Sequence, residues 1–239
     1  MPYETLTIPC LADNYAFLLH DNTSNTTALI DAPEAAPVLA ALAAKGWSLD
    51  MVLLTHHHHD HVEGLPGLLA KTAPVVVGAA KDAHRLPELD IAVNEGDTVE
   101  VGTLKGRVID VSGHTLNHIA YAFAGAVFTG DSLFAMGCGR VFEGDMAMMY
   151  NSLQKLAALP ADTMVYSGHE YSLANAKFAL SVAPNDPAVQ ARAADIERLR
   201  ASGTATVPSL LSLELASNPF LRARNAEEFG TLRRTKDSF

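Results

Sequence analysis

Cysteine is scarce: Cys10 and Cys138 are the two in 239 residues, too few for a disulfide framework and in keeping with a reducing compartment. No apolar run reaches the roughly 18 residues that a bilayer crossing needs. The opening MPYETLTIPC lacks a basic stretch followed by an apolar one, so no secretory signal is read there and a cytoplasmic protein is expected. Basic residues are also in short supply, with 17 Lys and Arg against 27 Asp and Glu. The resulting net charge of -10 repels nucleic acid unless a local patch overrides it. Charged residues at 18% and hydrophobic residues at 49% exclude both a disordered chain and a coiled coil. A globular protein with a substantial core remains, expected to act as a monomer on a small molecule, with neither nucleic acid nor membrane as partner.

The acid excess is uneven. Residues 1–185 carry 9 basic and 20 acidic side chains, net -11, whereas residues 186–239 carry 8 and 7, net +1. The periodicity changes at nearly the same place. Short strand patterns at 5–8, 15–19, 27–30, 51–54, 75–77, 105–110, 119–123, 126–128 and 164–166 alternate with helical patterns at 34–44, 62–70 and 146–157. From about Ser172 onward the pattern is helical, over 173–181, 187–201, 210–216 and 226–234, punctuated by prolines at 184, 187, 208 and 219. The class is α/β: two mixed sheets with helices outside, followed by an appended helical domain, with the boundary drawn between residues 168 and 169.

Histidine is abundant, and five of the ten fall in the six residues His56–His61. This run follows an apolar strand pattern, Met51–Leu54, and precedes a helix expected to open at Val62. On an extended chain, His56, His58 and Asp60 face one way and His57 and His59 the other, and a turn into the helix brings His61 round. Three further apolar runs end alike, in Gly113-His114, Gly130-Asp131 and Gly168-His169. A surface histidine run without a metal is the plain alternative for the first cluster, and a structural role for each lone residue. Four strand ends that each carry imidazole or carboxylate favour a ligand site. Donors of this kind without thiolate suit Zn²⁺, with Fe or Mn²⁺ as alternatives, in a catalytic site. Counting them favours two ions: His56, His58 and His114 on one, Asp60, His61 and His169 on the other, and Asp131 bridging. A shared hydroxide would then be the nucleophile, oriented by Asp60. His118 and Asp31 are candidates for fixing ligand orientation. His20, His57, His59 and His84 are read as packing or solvent-facing residues.

Thr55-His56-x-His58-x-Asp60-His61 together with Gly113-His114, Gly130-Asp131 and Gly168-His169 resembles the metallo-β-lactamase superfamily. Asp13-Asn14-Tyr15, Gly137 to Gly144, His169-Glu170-Tyr171, Asn218-Pro219-Phe220 and Arg233 to Asp237 extend the resemblance, over nearly the whole chain, to the hydroxyacylglutathione hydrolase (glyoxalase II) family. The resemblance implies an αββα sandwich with a C-terminal helical domain. It also implies hydrolysis of S-(2-hydroxyacyl)glutathione, chiefly S-D-lactoylglutathione, to glutathione and D-lactate, a step of methylglyoxal detoxification. It implies glutathione contacts at Arg140, Val141, Phe142, Tyr171, Arg233 and Lys236. Arg140 stands where lysine is common in the family and Phe142 where tyrosine is, so the charge is kept and a hydroxyl donor lost. Glutathione is anionic, and Arg233 and Lys236, three apart on a helix, are expected to present cations on one face. Rival readings are another hydrolase or oxygenase on the same scaffold (a lactonase, a β-lactamase or a mononuclear-iron persulfide dioxygenase) and a non-catalytic metal-binding protein. Cys138 is not expected to be a nucleophile, because nothing marks a base for it.

Overall fold

The computed structural model describes residues 3–239. Two compact units can be distinguished, Met1–Asp110 with Ile119–Ala124, and Val111–His118 with Gly125–Phe239. Neither limit falls at residue 168.

In the first unit, six strands lie side by side in chain order: β1 (Tyr3–Cys10), β2 (Asn14–Asp21), β3 (Thr26–Ile30), β4 (Met51–Leu53), β5 (Val75–Ala79) and β6 (Ile91–Val93). β1, β2 and β3 run antiparallel, and β3 to β6 run parallel. Every residue of β2 is buried, as expected of a strand covered on both faces. Helix α1 (Ala35–Lys45) crosses from β3 to β4, buries Val38 and Leu42, and stops at Gly46. There a φ of 68° lets the backbone N–H reach the carbonyls of Ala43 and Leu42. β7 (Thr98–Val101), β8 (Leu104–Asp110) and β9 (Ile119–Phe123) form an antiparallel meander. In β7, buried Val99 and Val101 alternate with exposed Thr98 and Glu100, the pattern of a strand with one wet face.

The second unit opens its regular structure with β10 (Ala126–Gly130) and a tight hairpin of β11 (Leu133–Phe134) and β12 (Gly137–Cys138). Helix α4 (Met146–Ala157) leads to β13 (Met164–Ser167), which pairs parallel with β10. Helices α5 (Ser172–Val182) and α6 (Pro187–Ala201) follow. The Asp186 side chain caps α6 by accepting from the N–H groups of Ala188 and Val189, with Pro187 where its missing N–H costs nothing. Small residues let α5 and α6 approach: Ala176 and Ala179 meet Val189, Ala193 and Ile196 around Met136. β14 (Ser209–Leu210), α7 (Leu211–Ser217) and α8 (Ala226–Asp237) complete the chain.

Three sequence expectations are corrected. Helical structure begins at His59 in the short α2 (His59–Val62), not at Val62, and the stretch to residue 70 is divided. Gly64 separates α2 from α3 (Leu65–Leu69) because its N–H donates to the Ala32 carbonyl, and a Cβ there would sit 2.7 Å from the Glu34 nitrogen. A strand does occur after Ser172, since β14 pairs antiparallel with β13. Two residues are too few for alternation to register in the sequence. The two-residue strands of the β11–β12 hairpin escaped for the same reason, and β6 and β7 were not read as strands either.

Candidate metal centre

In the first unit the histidine run leaves β4 with its backbone already committed. Leu54 N–H donates to the Val77 carbonyl, the Leu54 carbonyl accepts the Tyr121 hydroxyl, and the Thr55 carbonyl accepts Ile119 N–H. Because α2 starts at His59, the extended alternation holds only through His58, and Asp60 and His61 are placed by a helical turn. The expectation that Asp60 shares a strand face with His56 and His58 is thereby corrected.

Asp31 organises the cluster. Its φ of 55° is a left-handed conformation that aspartate tolerates better than most residues. Its Oδ1 accepts Thr55 N–H at 2.8 Å, and its Oδ2 accepts both the Thr55 hydroxyl and His61 Nδ1–H, each at 2.8 Å. Since Thr55 spends its proton on Asp31, its oxygen accepts from His56 Nδ1–H at 3.0 Å. Both rings are therefore held as the Nδ1–H tautomer, with the Nε2 lone pair left to donate. His56, His61 and Asp31 lie close enough to resemble a ligand trio, but these bonds put the carboxylate behind the imidazoles as their orienting group.

Sequence reasoning assigned no role to Asn14, whose amide donates to both the backbone carbonyl and Oδ2 of Asp60 at 3.0 Å. It steadies a half-exposed carboxylate. His57, expected to be packing or solvent-facing, bonds through Nδ1 to fully buried Asp82 at 3.0 Å, and Asp82 also takes Arg85 Nε at 2.6 Å. Exposed His59 pairs with Glu63, and His20 is a core residue stacked on Trp47. The signal for Asn14 and Asp82 was weak because neither is near the run in sequence.

In the second unit three strand-end residues meet. Asp131 Oδ2 stands 3.5 Å from His114 Nε2 and 3.3 Å from His169 Nε2. Donors bound to one tetrahedral zinc at about 2.1 Å stand about 3.4 Å apart, so Asp131 is spaced to share an ion with His114 and an ion with His169. His114 is held at both ends by the loop after β12: its Nδ1–H donates to the Arg140 carbonyl at 2.9 Å, and its own carbonyl accepts Phe142 N–H at 3.2 Å. His118, fully buried, accepts Asp131 N–H on Nε2 at 3.2 Å, so it holds the backbone of a ligand candidate. Gly113 and Gly139 are required here. Gly113 has a φ of 149° and lies where a Cβ would meet the Met149 backbone at 2.7 Å; at Gly139 a Cβ would fall 2.0 Å from the Asp131 carbonyl oxygen.

The expected substrate contacts divide. Phe142 is 61% exposed with its ring edge-on to His114, and Tyr171 stacks on His169 at 4.6 Å. Arg140 is exposed, Val141 is half-buried, and Lys236 Nζ donates to the Ala174 carbonyl over the rings of Phe178 and Phe239. Burial first, then the charges of Arg233 and Arg140, hold the Lys236 ammonium below the ordinary lysine range. Arg233 departs from expectation. It is 4% exposed, donates to the Cys138 carbonyl at 2.8 Å and pairs with Asp237 at 3.0 Å, so its guanidinium is buried and paired rather than solvated. Asp237, part of the tail motif but given no role from sequence, also faces Arg140 Nε at 3.4 Å. Burial pushes the Cys138 thiol up to about 11, where it is neutral and a poor nucleophile at neutral pH.

Both halves offer imidazole and carboxylate without thiolate, the donor chemistry of a catalytic divalent site, and the His/Asp clusters fit a dinuclear one. Among the described residues no helix is long and apolar enough to cross a membrane.

Residues 14–169 match the model of the metallo-β-lactamase superfamily, and residues 170–239 match the hydroxyacylglutathione hydrolase C-terminus. A hydroxyacylglutathione hydrolase of Ruegeria pomeroyi is 54% identical, covering 100% of both chains. One from Jannaschia is 58% identical, covering 92% of this chain and 87% of the relative. Among solved structures, ETHE1 from Myxococcus xanthus aligns with a TM-score of 0.74 at 28% identity, covering 98% of this chain and 90% of that one.

Proposed function

The chain belongs to the metallo-β-lactamase superfamily, with that superfamily's fold of mixed β-sheets and a C-terminal helical region, and within it to the hydroxyacylglutathione hydrolases; from that premise we propose how its residues cleave the thioester. It is a thiolester hydrolase acting on S-(2-hydroxyacyl)glutathione. We take S-D-lactoylglutathione as the principal substrate, residues 1–168 as the metal-binding catalytic domain and residues 169–239 as the substrate-binding helical domain.

His56, His58 and His114 would hold one divalent ion and Asp60, His61 and His169 the other, with Asp131 available to both. Zn²⁺ is the expected metal. When bound, such a pair makes water nucleophilic near neutral pH and polarises the thioester carbonyl. The observation that carries this reading is the fixed tautomer of three of these imidazoles: His56, His61 and His114 each spend Nδ1–H on an oxygen and keep Nε2 as donor. Asp60, steadied by Asn14, orients the attacking water and holds its proton at a carboxylate oxygen. The water oxygen adds to the thioester carbonyl carbon, the C=O π pair moving to oxygen, and its return breaks the C–S bond. A thiol of parent pKa near 8.5 leaves as thiolate without prior protonation, so no separate general acid is needed. Arg140 and Lys236 attract the carboxylates of the glutathionyl group, and Tyr171, Val141 and Phe142 line its path. Both cysteines are free thiols, consistent with action in the cytoplasm.

The test is a panel: S-D-lactoylglutathione, a β-lactam, a lactone and a phosphodiester offered to the metal-loaded protein. Turnover is expected to favour the glutathione thioester by orders of magnitude. Equal or greater turnover of any other member would overturn the assignment.

A further inference from the structure

We propose that Asp82, acting through His57, is a positioning residue for the metal centre: a buried carboxylate that holds the histidine run from the face opposite its candidate ligands. This rests on the reading of His56 and His58 as metal ligands.

β4 lies between β3 and β5, and each of these parallel neighbours is followed by a buried aspartate, Asp31 directly after β3 and Asp82 in the turn after β5. The histidine run leaves the middle strand of the three. Asp31 takes Thr55 and His61, whereas Asp82 takes His57, whose Nδ1 stands 3.0 Å from Oδ2. On the extended stretch through His58 side chains alternate, so His57 points away from His56 and His58. Among the described residues, the clusters of candidate ligand atoms include His56, His58 and His61 but not His57. Asp82 therefore grips the residue between two candidate ligands, on the side away from the ion they would share.

The grip is rigid. Asp82 closes the short 3-10 turn Ala80–Asp82, and its carbonyl accepts the N–H groups of Arg85 and Leu86 at 2.9 and 3.1 Å. Its Oδ1 takes Arg85 Nε at 2.6 Å, so the fully buried carboxylate has a donor on each oxygen. A carboxylate only accepts, hence His57 Nδ1 carries the proton of their bond. The ring so fixed stands edge-on to His58 with centroids 5.2 Å apart, and His58 stands edge-on to His56 at 4.8 Å. Turning His57 off Asp82 would twist the peptide units on either side of it, which are those that carry His56 and His58. Arg85 shares the carboxylate but not the run, so the bond to His57 can be tested apart from the burial of the aspartate.

The experiment is a Zn²⁺ titration against a competing chelator on the full-length protein, with His57→Leu, His57→Asn, Asp82→Asn, Arg85→Met and His56→Ala. The imidazole nitrogen NMR signals of His56 and His58 and the melting of the metal-free forms are followed in parallel. His57→Leu removes the bond. It is expected to weaken Zn²⁺ by about 10-fold, the low end for an orienting partner because it acts through the backbone rather than on a ligand, and to shift both signals. In His57→Asn an amide N–H stands close to the place of Nδ1–H, and both readouts should return towards the parent values. Arg85→Met is expected to lower the melting temperature while Zn²⁺ affinity stays at the parent value. Should His57→Leu not fold, Asp82→Asn leaves one acceptor oxygen for two donors and is expected to weaken Zn²⁺ severalfold with the fold retained. Parent affinity with unmoved signals in His57→Leu, or in Asp82→Asn where that variant decides, would overturn the proposal. So would equal weakening by His57→Asn, which would make the imidazole itself the working group, or by Arg85→Met, which would make the effect one of general stability. If His56→Ala leaves Zn²⁺ affinity unchanged, the ligand assignment itself falls, and that result is separate from any on Asp82.

Discussion

The two units secure their proposed ligands in opposite ways. In the first, His56, His58, Asp60 and His61 lie within six residues, and one carboxylate, Asp31, organises two of the imidazoles through a hydroxyl and a direct bond. In the second, His114, Asp131 and His169 come from three separate strand ends, and each has its own support: a backbone carbonyl, a neighbouring imidazole and a stacked tyrosine ring. The concentrated half depends on one residue, whereas the dispersed half spreads its dependence over several. Damage to a hub should therefore cost more than damage to any one separate support.

Asp31→Ala is the strongest challenge to that contrast. It removes the acceptor of His61 and of Thr55 together, leaving buried donors unsatisfied, each at about 1–3 kcal/mol. Zn²⁺ affinity is expected to fall by about 100-fold or more, at the upper end for an orienting partner, and the melting temperature should drop. His118→Ala removes one bond to the Asp131 backbone and is expected to cost about 10-fold. Titration of both variants against the same chelator decides the matter. A larger loss at His118 than at Asp31 would reverse the contrast.

The same contrast governs what could be read from the chain. Five histidines in six residues announce themselves by local density, and the helix pattern over 146–157 is reproduced to the residue by α4. The second half was legible only as recurrence, an apolar run ending in glycine and then a ligand-type residue. The glycines have a cause there: Gly113 sits at a φ no bulkier residue adopts readily, beside backbone that a Cβ would strike. Supports such as Asn14, Asp82 and Asp237 were not legible as such, because each acts on a partner distant in sequence and no periodicity marks it. The burial of Arg233 was not legible for a related reason. Its position near a helix C-terminus suits a solvated cation, and only the packing of α8 shows the guanidinium turned inward onto Cys138.

Lys236 tests the division of labour within the second unit. Lys236 and Arg140 are the more exposed cations of the proposed glutathione site. Lys236→Ala is expected to raise KM for S-D-lactoylglutathione by about tenfold, the loss of one hydrogen bond to a charged group, with kcat within about twofold. A change confined to kcat would move Lys236 out of the binding role.

The smallest effect expected is in the alkaline limb of the pH profile. Burial and two neighbouring guanidinium groups favour neutral Lys236, so its proton leaves at lower pH than the ordinary 10.5 of lysine, only partly opposed by Asp237. The sign follows from the charge: the cation is present at low pH and is lost as pH rises through the depressed value. kcat/KM, which reports the free enzyme, should therefore decline on the alkaline side before an unperturbed lysine would titrate. Lys236→Arg keeps its charge throughout and should flatten that limb while leaving the acid side in place. An alkaline decline that survives in Lys236→Arg belongs to another group, and the depressed ammonium would then have no part in holding substrate.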